Sequence, residues 1–177
     1  MVSPFLEEQI MKTTTIAALA ATIFSVATAA FADVSKKDQE FFTKAAGGGM
    51  YEVEAGKIAQ SKGKSEGVKS FGGMLVKDHG AANDELKALA AKKGATLPPG
   101  LPADKQNKLD KLSKAKDFDK NFVKKIGLDD HKADIALFEK TSKNADDAEV
   151  KAFAAKTLPT LKAHKQYAEG LNKGQNH

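Results

Sequence analysis

Apolar side chains recur three and four positions apart along residues 33–171, which is the spacing of one face of an α-helix. Apolar and polar residues do not alternate there over a stretch long enough to predict a strand. The pattern predicts an all-α domain with four long helices and one short helix. The predicted helices cover residues 36–61, 65–93, 103–114, 118–143 and 146–172. Ser35 is placed to cap the first helix, and Gly94 to end the second.

The lengths of the connections predict how the four long helices are arranged. Only a few residues join the first long helix to the second and the third to the fourth, so each pair should form an antiparallel hairpin. About 24 residues separate the two hairpins and carry the short helix, and a link of that length can return along the bundle. The prediction is a ferritin-like four-helix bundle with one long crossover that carries the short helix.

The first 32 residues differ in composition from the rest. Residues 13–32 contain no charged side chain, follow Lys12 and end in the small-x-small pattern that signal peptidase requires, with cleavage after Ala32. Six threonines and serines dilute this run, which makes a retained membrane anchor the weaker interpretation. We interpret residues 1–32 as a secretory signal peptide and residues 33–177 as a single domain exported to the periplasm.

The start of this segment contains two acidic residues, Glu7 and Glu8, which do not suit the positively charged end of a signal peptide. Met11 is therefore the expected start, and residues 1–10 are expected to lie outside the translated protein.

The charge and cysteine content of residues 33–177 exclude several kinds of site. Without Lys12, Glu7 and Glu8, the 28 basic and 23 acidic residues of the chain become 27 and 21. All the basic residues are lysines, and the lack of arginine, whose planar fork recognises phosphates and bases, argues against binding of nucleic acid. The chain has no cysteine, which excludes disulfides, thiolate metal sites and thiol catalysis.

Each long helix carries one polar side chain able to bind a metal on its apolar face. These side chains are Glu52, His79, His131 and His164. If the link crosses over, they lie about 10, 14, 13 and 9 residues from the end with the first turn, a spread of roughly 7 Å along the bundle. Without a crossover the spread is nearer 13 Å. The crossover topology therefore predicts that the four side chains meet.

Three imidazoles and one carboxylate suit zinc, copper, iron, manganese or nickel, whereas calcium and magnesium prefer oxygen ligands. The four residues are thus predicted metal ligands. The alternative is a hydrogen-bonded polar network without metal, since buried histidines are commonly paired with carboxylates.

Further polar residues flank the histidines and are candidates for orienting them by hydrogen bonds. Asn83, Asp134 and Tyr167 follow their histidines by three or four residues and share their helix faces. Asp78 and Asp130 each directly precede a histidine and point about 100° away, which suits a flanking position or a partner on a neighbouring helix.

Several glycines lie inside the predicted helices, where each costs roughly 0.5–1 kcal/mol relative to alanine. They are Gly47, Gly48, Gly49, Gly56 and Gly127. Close packing of helices would explain them, and so would room for a metal ion, a water or a π-bulge beside Glu52 and His131.

Three stretches of the chain resemble a known family. They are DQEFFTKAAGGGMYEVEAGKIAQSKGKSEGVKSFGGMLVKDHGAANDELKALAAKKG, FDKNFVKKIGLDDHKADIALFE and VKAFAAKTLPTLKAHKQYAEGL. They resemble uncharacterised bacterial exported proteins labelled as outer-membrane proteins, a domain-of-unknown-function family placed among ferritin-like bundles. The resemblance covers nearly all of residues 38–171. It implies a ferritin-like fold and a periplasmic location associated with the outer membrane, and it implies no established activity.

The chain departs from the di-iron proteins of the wider ferritin-like class. Those proteins use Glu-x-x-His on two helices, whereas Val76, Leu128 and Leu161 stand three residues before the histidines here. The expected site is therefore mononuclear, in a protein that buffers metal or protects the cell envelope from stress.

Two other functions are weighed against this one. The first is a structural or interaction protein of the envelope, with a hydrogen-bonded polar core and a lysine-rich surface that contacts anionic lipid or polysaccharide. The second is an enzyme with a metal-bound water assisted by Tyr167 or Asp134. The enzyme is less favoured because the sequence shows no dedicated general base, substrate pocket or cofactor motif.

Overall fold

The computed structural model describes residues 33–174, so the signal-peptide prediction lies outside the described residues. Six α-helices and one π-helical segment follow one another in this part of the chain, which contains no strand. They are α1 (Lys36–Lys62), α2 (Glu66–Lys93), α3 (Ala103–Ser113), α4 (Phe118–Phe122), the π-helical segment (Val123–Asp130), α5 (His131–Asn144) and α6 (Ala148–Gly174). The predicted all-α bundle is confirmed.

The helices end at residues that the sequence marks. The Ser35 hydroxyl accepts a hydrogen bond from Asp38 N at 3.2 Å, which satisfies one of the free N–H groups at the start of α1. Ser65 caps α2 in the same way through Val68 N. Gly94 follows α2 with a φ of 71°, a left-handed conformation that glycine adopts without a steric penalty.

The link between α2 and α4 crosses over along α1. Its Pro102 ring lies beside Gly47 in the middle of α1. Farther along, the Lys62 ammonium group at the end of α1 donates a hydrogen bond to the Ser113 carbonyl at 2.9 Å. The α3 helix therefore runs beside the second half of α1, and α4 begins at the α1–α2 turn, as the crossover topology requires.

Each hairpin turn is bound by a carboxylate from the other hairpin. Asp119, in α4, accepts hydrogen bonds from the backbone N–H groups of Lys64 at 3.0 Å and Ser65 at 2.8 Å. At the other end of the bundle, the buried Asp38 of α1 accepts hydrogen bonds from Asp146 N at 3.0 Å and Asp147 N at 2.8 Å. We call these two carboxylates the reciprocal caps.

Two apolar clusters form the core, and the polar residues of the four long helices lie between them. The cluster nearer the α1–α2 turn includes Phe71, Leu75, Phe122, Ile126 and Ala168. The cluster nearer the other end includes Phe42, Leu86, Phe138, Phe153 and Leu161. Burial of each large side chain contributes about 1.5–3 kcal/mol, so the core fixes the helices that carry the polar residues. None of the described helices is both long and apolar enough to cross a membrane.

Candidate metal centre

Four buried polar side chains meet between the apolar clusters, one from each of α1, α2, α5 and α6. Glu52, His79, His131 and His164 are 1%, 6%, 0% and 1% exposed. The three histidines each offer a nitrogen, and these nitrogens lie within 4.8 Å of one another. The side chains that were predicted to meet from their heights along the helices do so in the structure.

The outer nitrogen of each histidine ring faces an oxygen atom on another part of the chain. His79 Nδ1 lies 3.0 Å from Glu52 Oε2, and His164 Nε2 lies 2.9 Å from Asp78 Oδ2. His131 Nδ1 lies 2.9 Å from the Ile126 carbonyl oxygen. Because a carbonyl or an ionised carboxylate can only accept, the outer nitrogens of His131 and His164 carry the proton and donate it. The second nitrogen of the neutral His131 ring then presents a lone pair.

Two of the three second ring nitrogens lie close together, and the third is buried. His131 Nε2 lies 3.2 Å from His164 Nδ1, so the inner nitrogens of these two rings face each other. His79 Nε2 is buried and has no hydrogen-bond partner among the described residues. Nitrogens bound to one tetrahedral metal ion at about 2.0–2.1 Å lie about 3.3 Å apart, which matches the distance between His131 and His164.

Burial keeps the His79 and His131 rings neutral. It lowers the pKa of His79 well below the usual value, and the neighbouring histidines lower this pKa further. Burial also lowers the pKa of His131 to about 4, although the hydrogen bond to the Ile126 carbonyl acts in the opposite direction. Both rings are therefore neutral near pH 7, and neutral imidazole is the form that binds metals.

The π-helical segment brings His131 to this position. The ring nitrogen of His131 bonds to the carbonyl of Ile126, five residues earlier, inside a segment that is wound more widely than an α-helix. Gly127 lets this segment approach α6, because a Cβ atom at that position would lie 2.4 Å from the Ala168 Cβ and 3.1 Å from the Phe71 ring. Gly127 thus allows close packing, and a π-helical segment directly precedes His131. Close packing and a π-bulge are two of the explanations that the sequence offers for glycines inside the helices.

A pair of carboxyl groups lies behind the histidines. Burial raises the pKa of Glu52 well above its usual value, and the nearby Asp134 carboxyl adds to this rise. Burial likewise raises the pKa of Asp134, to about 6, although a hydrogen bond with Glu52 opposes the shift. Two adjacent buried carboxyl groups do not both ionise easily, so they share a proton.

Glu52 lies on the outer side of the rings. Its Oε2 pairs with His79, and its Oε1 is 3.1 Å from His131 Nδ1, whose proton points to Ile126. The sequence predicts Glu52 as a fourth ligand, and in the structure its two oxygens lie beside Nδ1 of His79 and Nδ1 of His131.

The five flanking residues take different positions. Asp78 bonds to His164 on α6, a partner on a neighbouring helix. Asp134 contacts Glu52, and Asp130 forms a hydrogen bond with Tyr51. Asn83 packs against Gly49 of α1. Tyr167 stacks on the Phe71 ring, with 5.5 Å between the ring centroids. Asn83, Asp134 and Tyr167 were expected to pair with outer ring nitrogens, but Glu52, Ile126 and Asp78 occupy those nitrogens instead.

The fold and the cluster together define a helical bundle with three converging buried histidines. The chain belongs to the DUF4142 family, a domain of unknown function whose family profile matches residues 24–171. The predicted resemblance to a domain-of-unknown-function family is thus confirmed at this level.

A solved structure is similar in fold. The crystal structure of a DUF305 fragment from Deinococcus radiodurans superposes with a TM-score of 0.67 at 14% sequence identity, covering 80% of this chain and 99% of that chain. At this identity the likeness shows the fold alone. No curated protein matches the chain.

Proposed function

We propose that this protein binds one transition-metal ion through His79 Nε2, His131 Nε2 and His164 Nδ1. The observation that carries the proposal is the contact between His131 and His164. Both rings have their outer nitrogen bonded to an oxygen, and their inner nitrogens face each other at 3.2 Å. Metal-binding histidines typically have this arrangement, with the second ring nitrogen donating to a carboxylate or a backbone carbonyl.

The chemistry of the donor set supports a borderline transition metal. Three neutral imidazoles suit zinc, copper, iron, nickel or manganese, whereas a calcium site would need several more oxygen ligands. The nitrogens that the three histidines offer lie within 4.8 Å of one another, so they have to move closer by up to about 1.5 Å to reach tetrahedral spacing. Since His79 Nε2 is buried and has no partner among the described residues, no hydrogen bond of that nitrogen is lost in this movement.

In this proposal Glu52 and Asp78 orient the ligands. Their carboxylates hold the outer nitrogens of His79 and His164, which fixes the tautomers and makes the inner nitrogens better donors. The site is mononuclear, because Val76, Leu128 and Leu161 stand where a di-iron bundle would place carboxylates or other polar ligands. A mononuclear buried site without an assigned catalytic residue suits metal buffering or storage. The signal-like residues 1–32 support a periplasmic location for that role.

The experiment is a metal titration of the purified domain, residues 33–177, with Zn²⁺ by calorimetry and with elemental analysis of the product. We expect one zinc per chain in the unsubstituted protein and at least a tenfold loss of affinity in His131→Ala and His164→Ala. His177→Ala, which also removes one imidazole, is the matched control and should bind like the unsubstituted protein. Equal and substoichiometric zinc in all four proteins, with circular dichroism showing intact helices, would overturn the proposal.

A second candidate is a polar core without metal. A continuous hydrogen-bonded chain runs from the Ile126 carbonyl through His131 and His164 to Asp78, and it needs only a second proton on His164 to be complete. In that case the lysine-rich surface would act on anionic lipid or polysaccharide, with binding that weakens as salt rises. This candidate predicts that His79→Leu preserves or raises the melting temperature and that the protein takes up no metal.

A further inference from the structure

His79, one of the three histidines, borders a small cavity inside the bundle. This inner cavity has a volume of about 20 Å³, enough for one water-sized group, and its walls include Glu52, His79, Asn83 and Asp134. A much larger groove of about 430 Å³ lies on the outside, where α3 packs on α1. Asn83 lines both spaces and therefore lies between the groove and the cavity beside His79.

The Asn83 side chain is held by packing alone. A Cβ atom at position 49 would lie 2.0 Å from Asn83 Oδ1, so the amide occupies the space that Gly49 leaves beside the α1 backbone. Among the described residues, none forms a hydrogen bond with the Asn83 side chain. A partly exposed amide without such a bond can change rotamer at little cost.

We propose that divalent metal ions enter the bundle through the groove between α1 and α3, and that the Asn83 side chain is the barrier they pass. This inference rests on the metal site proposed above. The outer groove offers the groups that a cation would meet first, namely the carboxylates of Glu54 and Asp110, the Gln106 amide and the Met50 thioether. An amide oxygen is itself a cation ligand, so Asn83 is suited to pass an ion inward to His79.

The acidic groups of the groove are only loosely engaged. Glu54 pairs with Lys57 at 2.7 Å, and Asp110 accepts a hydrogen bond from Gln106 at 2.9 Å. Both contacts are at the surface, where ion pairs and hydrogen bonds compete with water and contribute little. A passing cation can therefore replace them, and their negative charge raises its local concentration.

The test measures exchange kinetics. Zn²⁺ uptake is followed by stopped flow from a chromophoric chelator, and release is followed into excess EDTA. We expect Asn83→Ala to speed both processes about tenfold while the equilibrium affinity stays within about threefold, because a barrier affects both directions alike. Asn83→Leu, which fills the same space with an apolar side chain, should slow both. Gly49→Ala displaces the amide and should resemble Asn83→Ala, which provides a variant at a second position.

The matched control is Thr157→Val. Thr157 lines the inner cavity from α6, away from the groove, and valine has nearly the same shape. Its exchange rates should equal those of the unsubstituted protein. If zinc binds at one per chain but the rates are the same in the Asn83 and Gly49 variants, this route is wrong and the metal site stands. If the unsubstituted protein binds no zinc, both proposals fall.

Discussion

His164 Nε2 donates its proton to Asp78 Oδ2 at 2.9 Å, although Asp78 belongs to α2 and directly precedes a different histidine. The consequence is that α2 supplies two functions to the cluster. His79 contributes a ring, and its neighbour fixes the ring of the opposite helix. Asp78 is one-third exposed while His164 is buried, so the pair also connects the cluster to the surface.

Replacing Asp78 should weaken metal binding without unfolding the bundle. Asp78→Asn keeps the size of the side chain but removes the charge that polarises His164, and changes of this kind typically cost about 10–100-fold in metal affinity. The measurement is a competition titration with a chelator of known affinity for zinc. Asp84→Asn, at an exposed position of the same helix, should leave the affinity unchanged. Equal affinities in the two variants would show that Asp78 does not act on the site.

Two glycines offer a matched test of helix packing. Gly127→Ala should destabilise the protein by about 1–3 kcal/mol, because the new methyl group would lie 2.4 Å from the Ala168 Cβ in a tightly packed region. Gly80→Ala meets no atom within 4 Å and should stabilise the protein by up to about 1 kcal/mol through helix propensity. Urea denaturation of both variants gives the free energies of unfolding. A stabilised Gly127→Ala variant would mean that the π-helical segment does not pack closely on α6.

The shared carboxyl proton predicts a pH-dependent effect of Asp134→Asn on the metal-free protein. Burial raises the pKa of Asp134 from 3.8, the value of an exposed carboxyl in the unfolded chain, to about 6 in the folded state. Between these two pH values the folded protein binds one more proton than the unfolded chain. The stabilisation that the protonated Asp134 carboxyl contributes to the fold is complete below pH 3.8 and is lost as the pH rises through 6. An asparagine cannot ionise and avoids this loss.

The stability of Asp134→Asn relative to the unsubstituted protein should therefore increase from pH 4 to pH 7, by about 3 kcal/mol at most. Urea denaturation at intervals across that range gives the difference. Asp129→Asn changes an exposed carboxylate in the π-helical segment and serves as the control, with no comparable trend. A constant difference for Asp134→Asn would show that this carboxyl ionises normally in the folded protein.

The signal-peptide hypothesis predicts the mature N-terminus. When the full chain is expressed in a bacterium with a periplasm, intact mass spectrometry of the periplasmic fraction should give a protein that begins at Asp33. Ala32→Leu alters the residue before the cleavage point and should yield the uncut form. Ala29→Leu, just outside the small-x-small pattern, should be processed normally. A cytoplasmic, uncut protein would contradict both the signal peptide and the periplasmic location.

The sequence predicted the helices and the meeting of the histidines because both depend on local spacing. Ser35, Ser65 and Gly94 mark helix ends through bonds within a few residues. The heights of His79 and His164 follow from a constant rise per residue once the crossover is chosen. The apolar face of each helix sets its rotation only approximately, and that is enough to bring the side chains together.

The hydrogen-bond partners of the rings could not be predicted in this way. Which oxygen faces an outer nitrogen depends on the rotation and tilt of neighbouring helices, which is why Glu52 lies behind His79. The bond from His131 to the Ile126 carbonyl also requires a π-helical winding, and a small residue at position 127 signals this winding only weakly. The role of Asp38 was hidden for a similar reason, since an acidic residue in the first turn of a helix normally indicates only a favourable interaction with the helix dipole.

The reciprocal caps make the two hairpins depend on each other for folding. Asp119 satisfies backbone N–H groups at the turn of the first hairpin, and Asp38 does the same at the turn of the second. If either hairpin detached, the other would expose its apolar face and lose the carboxylate that closes its turn. The domain should therefore unfold in a single cooperative transition, and neither hairpin should persist as a stable intermediate.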